Sequence, residues 1–407
     1  MTGHSLRADV CARLGRPLPP YLRPLLVLLA LAGAVTFVLL LRGADPARAW
    51  RAYHVNWLFW TGLSQAGILF ACTQVIVGAR WSYPIRRMAE ASAAFLPVSF
   101  VLFLVLWLGR ADIFPWIRHP VLEPHVKAFW LRAGFLFARD IAGLLVLYGL
   151  SFWFLSHSLR ADAAALRGDA AALARSEERL VRLAPGIVVA YALVMSLLAF
   201  DLIMSLAPHW LSNLVGAFFF MGAWLTGLMS LALLAIFWRR HFGLEDLVTP
   251  KTFHDLGKLC FGFSVFWAYL FFSQFLVIWY GNMPEETSFL FLRMTRPEWR
   301  GISAAMVVLV FFVPFWGLLG VKPKQTPALL GTFAVISLCG VWVDRYVLTV
   351  PSMVQQAPAL PLGWQELLVT AGFLGIWGLA YAWFATKWPI VSPRLMDRME
   401  AEVQGQH

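Results

Sequence analysis

Residues 260–281 read CFGFSVFWAYLFFSQFLVIWYG, an unbroken run without a charged side chain. A helix of about 20 apolar residues crosses a hydrocarbon core roughly 30 Å thick, whereas a barrel strand does so in about ten. Inside that core only helices and closed barrels satisfy every backbone N–H and C=O, so the run predicts a membrane-spanning helix. Upstream the pattern recurs near residues 21–41, 56–79, 88–109, 128–156, 183–207 and 211–238, and the quoted run extends over about 254–281. Downstream it recurs near 301–320, 327–350 and 364–386. The chain reads as an all-α polytopic membrane protein with ten transmembrane helices. Its expected organisation is an N-terminal segment at 1–20, a ten-helix domain at 21–386 and a C-terminal tail at 387–407. Composition agrees, since 60% of the 407 residues are hydrophobic and 14% charged, against about one-quarter charged in soluble domains.

Arg7, Arg13, Arg16 and Arg23 precede the first run, and no small-residue cleavage site follows it. It is therefore read as a retained helix rather than a cleaved signal peptide. The net charge of +11 is scattered over short loops rather than gathered into one stripe, which argues against a nucleic-acid partner. It sets orientation instead, because Lys and Arg accumulate on the cytoplasmic side. The N-terminus, alternate loops and the C-terminus carry twenty of the 33 basic residues, among them Arg80, Arg86, Arg87, Arg160, Arg239, Lys322 and Lys387. The opposite loops carry nine, including Arg42, Arg118, Lys127, Arg293 and Arg296. Both termini are accordingly expected in the cytoplasm.

Cys11, Cys72, Cys260 and Cys339 lie far apart and form no CxxC or CxxCH pattern, so a covalently bound haem c or a four-Cys iron–sulfur site in this chain is not expected. The histidines, among them His4, His54, His119, His125, His157 and His407, fall in loops or near the ends of the predicted spans. No metal ligand is assigned, and redox work would borrow its metal centres from partner subunits.

Ionisable residues inside a span cost several kcal/mol and tend to face protein or water. Arg139 and Asp140 adjoin in the fourth span, Asp344 and Arg345 in the ninth, and Asp201 lies late in the fifth. Adjacent helix positions point about 100° apart, so pairing between helices, for example Arg139 with Asp344, is as plausible as pairing between neighbours. The functional reading is a proton pathway or a quinone pocket; the other is interhelical glue. Asp201 and Asp344 are expected toward the outer leaflet, His254, Asp255 and Lys258 at the inner end of the seventh span, and Asp140 between them. Asp255 and Lys258, three apart, also suit a simple ion pair on one helix face. Gln65, in the SQAG stretch of the second span, and His209, beside Trp210 in the loop after the fifth, complete the candidates.

Trp50, Trp57, Trp60, Trp81, Trp116, Trp210, Trp279, Tyr280 and Trp364 stand near predicted span ends and read as interfacial anchors. The stretch HSLRADAAALRGDAAALARSEERLVR at 157–182 reads as a short cytoplasmic linker helix. No loop is large enough for a catalytic domain. The outer loop near 282–300 mixes Glu285, Glu286, Arg293 and Arg296 with apolar residues and is the best candidate for docking a partner.

Four segments, NWLFWTGLSQAGILFA at 56–71, FLPVSFVLFLVLWLGR at 95–110, AFDLIMSLAPHWLSNLVGAFFFMGAW at 199–224 and FHDLGKLCFGFSVFWAYLFFSQFLVIWYGNMPEE at 253–286, together resemble the NrfD or polysulfide-reductase-like membrane subunits of alternative complex III, a bacterial quinol:cytochrome c oxidoreductase. The resemblance runs from about residue 50 to the C-terminus. It implies two four-helix bundles with two peripheral helices, embedded in the bacterial inner membrane beside membrane lipid. The implied partners are a paralogous NrfD-like subunit, an iron–sulfur subunit and multihaem cytochromes c. These would hold the haem c and iron–sulfur centres, with menaquinone or ubiquinone as the quinone. In the larger of the two paralogues a histidine near the outer part of the membrane domain is associated with the quinol pocket, and the early spans here offer no mid-span histidine. A purely structural anchor and a secondary transporter are the alternatives. The latter predicts matched broken spans in the two halves, and none is evident.

Overall fold

The computed structural model describes residues 13–14, 17–118, 129–354 and 360–405, with side chains to residue 400. His4, Arg7, Cys11, Arg16, His119, His125, Lys127 and His407 lie outside them. The chain is 85% helical, with no strand among the described residues. Its elements are α1 (Leu22–Leu41), α2 (Pro46–Ile76), α3 (Tyr83–Leu106), α4 (Ala133–Arg167), α5 (Ala170–Leu202), α6 (Val215–Phe242), α7 (Pro250–Gly281), α8 (Pro284–Met294), α9 (Pro297–Leu318), α10 (Pro327–Met353), α11 (Trp364–Lys387) and α12 (Pro393–Gly405). All but α8 and α12 are long and apolar enough to cross a membrane, one for each predicted span. Proline opens α2, α7, α8, α9 and α10, the position where its missing N–H has no intrahelical role.

Helices α2, α3, α4 and α5 pack as one group and α6, α7, α9 and α10 as a second, joined where α6 lies against α2 and α5. The α1–α11 pair flanks α2 and α3. Helix α2 is buried along most of its length, whereas α1 turns Leu28, Leu31, Val35 and Leu39 outward, as a lipid-facing helix should.

Helices α1 and α11 approach at glycines. A Cβ on Gly372 would come within 2.7 Å of the Gly33 backbone, the small-residue contact by which membrane helices close on one another. Gly372→Leu is therefore expected to destabilise the protein by about 1–3 kcal/mol. Lower thermal stability and new protease cleavage at the α1–α2 connection would be its signature.

The predicted linker helix at 157–182 is corrected. Those residues are the adjoining ends of α4 and α5, which meet at a tight turn. Gly168, at φ +71°, caps α4 in the left-handed region, and the Asp169 side chain accepts from Ala172 N–H at 2.9 Å. Glycine after one helix and an N-cap acid before the next are the ordinary stop and start signals. At 35 residues, α4 runs roughly 50 Å and overshoots the hydrocarbon core.

The interfacial reading of several aromatics is also corrected. Trp50, Trp57, Trp60, Trp116 and Trp210 are buried, whereas Trp279, Tyr280 and Trp364 are exposed. Trp50, Trp57 and Trp60 sit on α2, which other helices surround.

Candidate functional site

The buried face of α4 carries a polar stripe. Asp140, Leu144, Tyr148, Ser151, Leu155, Ser158 and Asp162 follow at intervals of three or four residues and all are buried. This is one helix face, and from Asp140 to Asp162 it rises roughly 33 Å, the thickness of a hydrocarbon core. Tyr148, Ser151, Ser158 and Asp162 each meet a partner on a neighbouring helix.

At the end remote from the N-terminus, Arg139 donates from Nε to Asp201 Oδ2 at 2.5 Å and from Nη2 to Oδ1, a two-pronged clamp between α4 and α5. Trp130 Nε1 also donates to Asp201, at 3.2 Å, and Arg139 Nη1 donates to the Trp130 carbonyl at 2.8 Å. Asp140 neighbours the Asp201 carboxyl, yet no protein donor among the described residues hydrogen-bonds either of its oxygens. Two carboxyl groups thus adjoin while the guanidinium binds only one of them, the composition of a site that exchanges a proton. The expected depths are corrected, since Asp140 lies beside Asp201 rather than midway across. The Arg139–Asp344 pair is corrected as well, because Arg139 binds Asp201 and Asp344 lies with Arg345.

Lower along the stripe, the Tyr148 hydroxyl lies 3.0 Å from Ser99 Oγ, itself 2.6 Å from Thr61 Oγ1. Gln65 Nε2 donates to Ser151 Oγ at 2.9 Å. His54, Leu58, Thr61 and Gln65 are one face of α2. His54 is fully buried, and its Nε2 lies 2.8 Å from the Leu202 carbonyl, so that nitrogen carries the proton. The start of the second span, expected near residue 56, is thereby corrected, because the helix begins at Pro46 and encloses His54 in its first third.

At the other end, Ser158 Oγ donates to Glu90 at 2.9 Å, and Arg87 reaches Glu90 at 3.2 Å and Asp162 at 2.5 Å. Ser392 and Arg394 of the C-terminal segment join Asp162 at 2.5 and 3.4 Å, and Arg398 binds Glu177 on α5 at 2.6 Å. Burial pulls the Arg394 pKa below its ordinary value against the opposing attraction of Asp162. Sequence reasoning missed this network, having placed Arg87 in a loop and Asp162 on a linker. The Arg87–Glu90 spacing of three was its available signal.

The remaining candidates lie apart. On α10, Arg345 reaches Asp344 at 3.3 Å and donates to the Phe219 carbonyl at 3.0 Å. No donor among the described residues hydrogen-bonds the Asp344 oxygens, and the residue borders a cavity of about 50 Å³ shared with Gln274, Arg293 and Ser303. At the start of α7, Lys258 pairs with Asp255 at 2.6 Å, and the Lys258 side chain is 58% exposed. The simple ion pair is thus what forms. Lys258→Ala is expected to change stability by less than about 0.5 kcal/mol in a denaturation series. His254 sits on the same first turns of α7. His209 is exposed in the α5–α6 connection.

Fold and site together define a multi-pass helical membrane protein with a ladder of buried polar groups through its first bundle. No family model and no curated protein matches the chain. Among the described residues, no group of three or more His, Cys, Asp or Glu side chains is placed to hold a metal ion.

Proposed function

We propose that this chain is a membrane subunit of a bacterial quinol:cytochrome c oxidoreductase of the alternative complex III type, most like the smaller paralogue, ActF. In this reading it carries protons between the membrane faces while partner subunits hold the haem c and iron–sulfur centres. The α4 ladder is the observation that carries the reading. It has ionisable groups at both ends, hydroxyl and amide groups between them, and a length that matches the hydrocarbon core. Its rungs stand roughly 4–12 Å apart along α4, so water between them completes transfer. The sequence segments resembling NrfD-like subunits supply the choice of complex. Excess Lys and Arg on one side supports a cytoplasmic assignment for the face bearing Arg87, Asp162 and α12.

The cavity beside Asp344, about 50 Å³, suits water-sized occupants, whereas small-molecule sites run to about 300–1,000 Å³. Asp344 therefore fits a proton relay better than a menaquinone or ubiquinone pocket. A purely structural role draws its support from the Arg139–Asp201 clamp, whose hydrogen bonds would stabilise any bundle. Purification from native membranes in mild detergent tests the complex. Haem c absorbance and iron–sulfur signals copurifying with the chain are expected, and a chain purified without either would contradict the reading.

A further inference from the structure

A cleft beside α8 lies outside the ladder. The α5–α6 connection from Leu206 to Trp210 forms one wall, α8 with Thr295 and Arg296 the other, and Ser352 of α10 contributes from below. Its volume is about 580 Å³, within the usual range of about 300–1,000 Å³ for small-molecule sites. A stack of three groups stiffens it. Phe289 lies on Trp210 with ring centroids 3.6 Å apart and planes 8° from parallel, and the Arg293 guanidinium carbon sits 3.4 Å from the Phe289 centroid.

The lining is one-sided in charge. Arg293, Arg296 and His209 contribute, and no acidic side chain does among the described residues. Arg293 is only 4% exposed and donates to the carbonyls of Val347, Phe289 and Leu348 and to Ser352 Oγ, all at 2.8–2.9 Å. These acceptors are neutral. Burial pulls the Arg293 pKa down with no acid to oppose it. Of the five N–H groups of a guanidinium, four are used and one on Nη1 remains. Arg296 adds donors at the opening, whereas the Ser288 and Thr295 hydroxyls already donate to the Glu285 and Phe291 carbonyls. Phe291 and Met294, on the same α8 helix, are exposed. An amphipathic helix with exposed apolar side chains belongs at headgroup depth.

We propose that this cleft binds a phosphate group, carried by an anionic lipid or free in solution. The Arg296 guanidinium matches a phosphate in charge and geometry, Arg293 adds a second positive charge with one N–H remaining, and the aromatic wall excludes water from one side. Arg296 makes the principal contact at the opening, and Arg293 supplies a fixed positive field from below.

The test uses the full chain in a maltoside detergent, which carries no phosphate. Phosphatidylglycerol, phosphatidylcholine or inorganic phosphate is titrated in while the unfolding midpoint and bound lipid, by native mass spectrometry, are followed. Arg293 holds two helix ends, so its removal threatens folding; Arg296→Glu and Arg296→Lys are the informative variants. Saturable stabilisation of the wild type by phosphatidylglycerol over phosphatidylcholine is expected. Affinity should fall about tenfold or more in Arg296→Glu and be partly kept in Arg296→Lys. Stabilisation by inorganic phosphate alone identifies the free anion as the source, and by phosphatidylglycerol alone the lipid. Equal response to both lipids and none to phosphate, unchanged in Arg296→Glu, would overturn the proposal, leaving an acidic partner protein as the alternative occupant.

Discussion

Asp140→Asn is expected to leave the protein folded and assembled while lowering proton-coupled quinol turnover by roughly a hundredfold or more, the low side of what a positioned proton carrier contributes. Asparagine has nearly the same shape, no N–H donor among the described residues hydrogen-bonds the Asp140 oxygens, and the amide can keep the contact with the Asp201 carboxyl. What disappears is the exchangeable proton. Asp201→Asn should behave differently. It breaks the clamp with Arg139 and leaves a partly buried guanidinium facing a neutral amide. Losing one partner of a buried pair costs about 3–5 kcal/mol, so thermal stability should fall together with activity. Comparing turnover with melting temperature in the two variants separates proton transfer from interhelical glue. Full activity in Asp140→Asn would remove the proton role from this end of the ladder.

Asp162→Ala is expected to be among the most destabilising single changes in the protein, by about 3–5 kcal/mol. Arg87, 1% exposed, and Arg394, 5% exposed, both lean on that carboxylate. Removing it leaves two buried guanidinium groups with Glu90 and Glu177 as their remaining acids. The C-terminal segment should loosen, because Ser392 and Arg394 attach to α4 through Asp162. Limited proteolysis checks this directly, with early cleavage before α12 expected in the variant. A protease pattern like that of the wild type would show that the pairs of Arg394 and Arg398 with Glu177 and the Arg394–Ser158 hydrogen bond hold α12 without Asp162.

All ten spans were legible in the sequence because lipid imposes a composition that no other solvent does. Helix ends were less legible. Helix α2 is the least apolar of the ten spans, yet is the most buried of them. A helix wrapped by protein is freed from the demand for lipid-compatible side chains, so His54, Asn56 and Arg51 entered it and blurred its start. The same reasoning explains Arg87, Glu90 and Asp162. They lie where apolar runs fade, which reads as loop, but α3 and α4 bury them against one another. The acids at depth were visible as residues, whereas their partners were not. Adjacent positions do not reveal that Arg139 turns to α5 while Arg345 stays with Asp344 and Phe219.

The proton-to-electron ratio of the complex in sealed proteoliposomes, followed with a pH-sensitive dye during quinol oxidation, tests the ladder most directly. The comparison is between wild type and Asp140→Asn at matched residual electron transfer. A ladder that conducts protons predicts a lower ratio in the variant. An identical ratio in the two would contradict the assignment of α4 as the proton path.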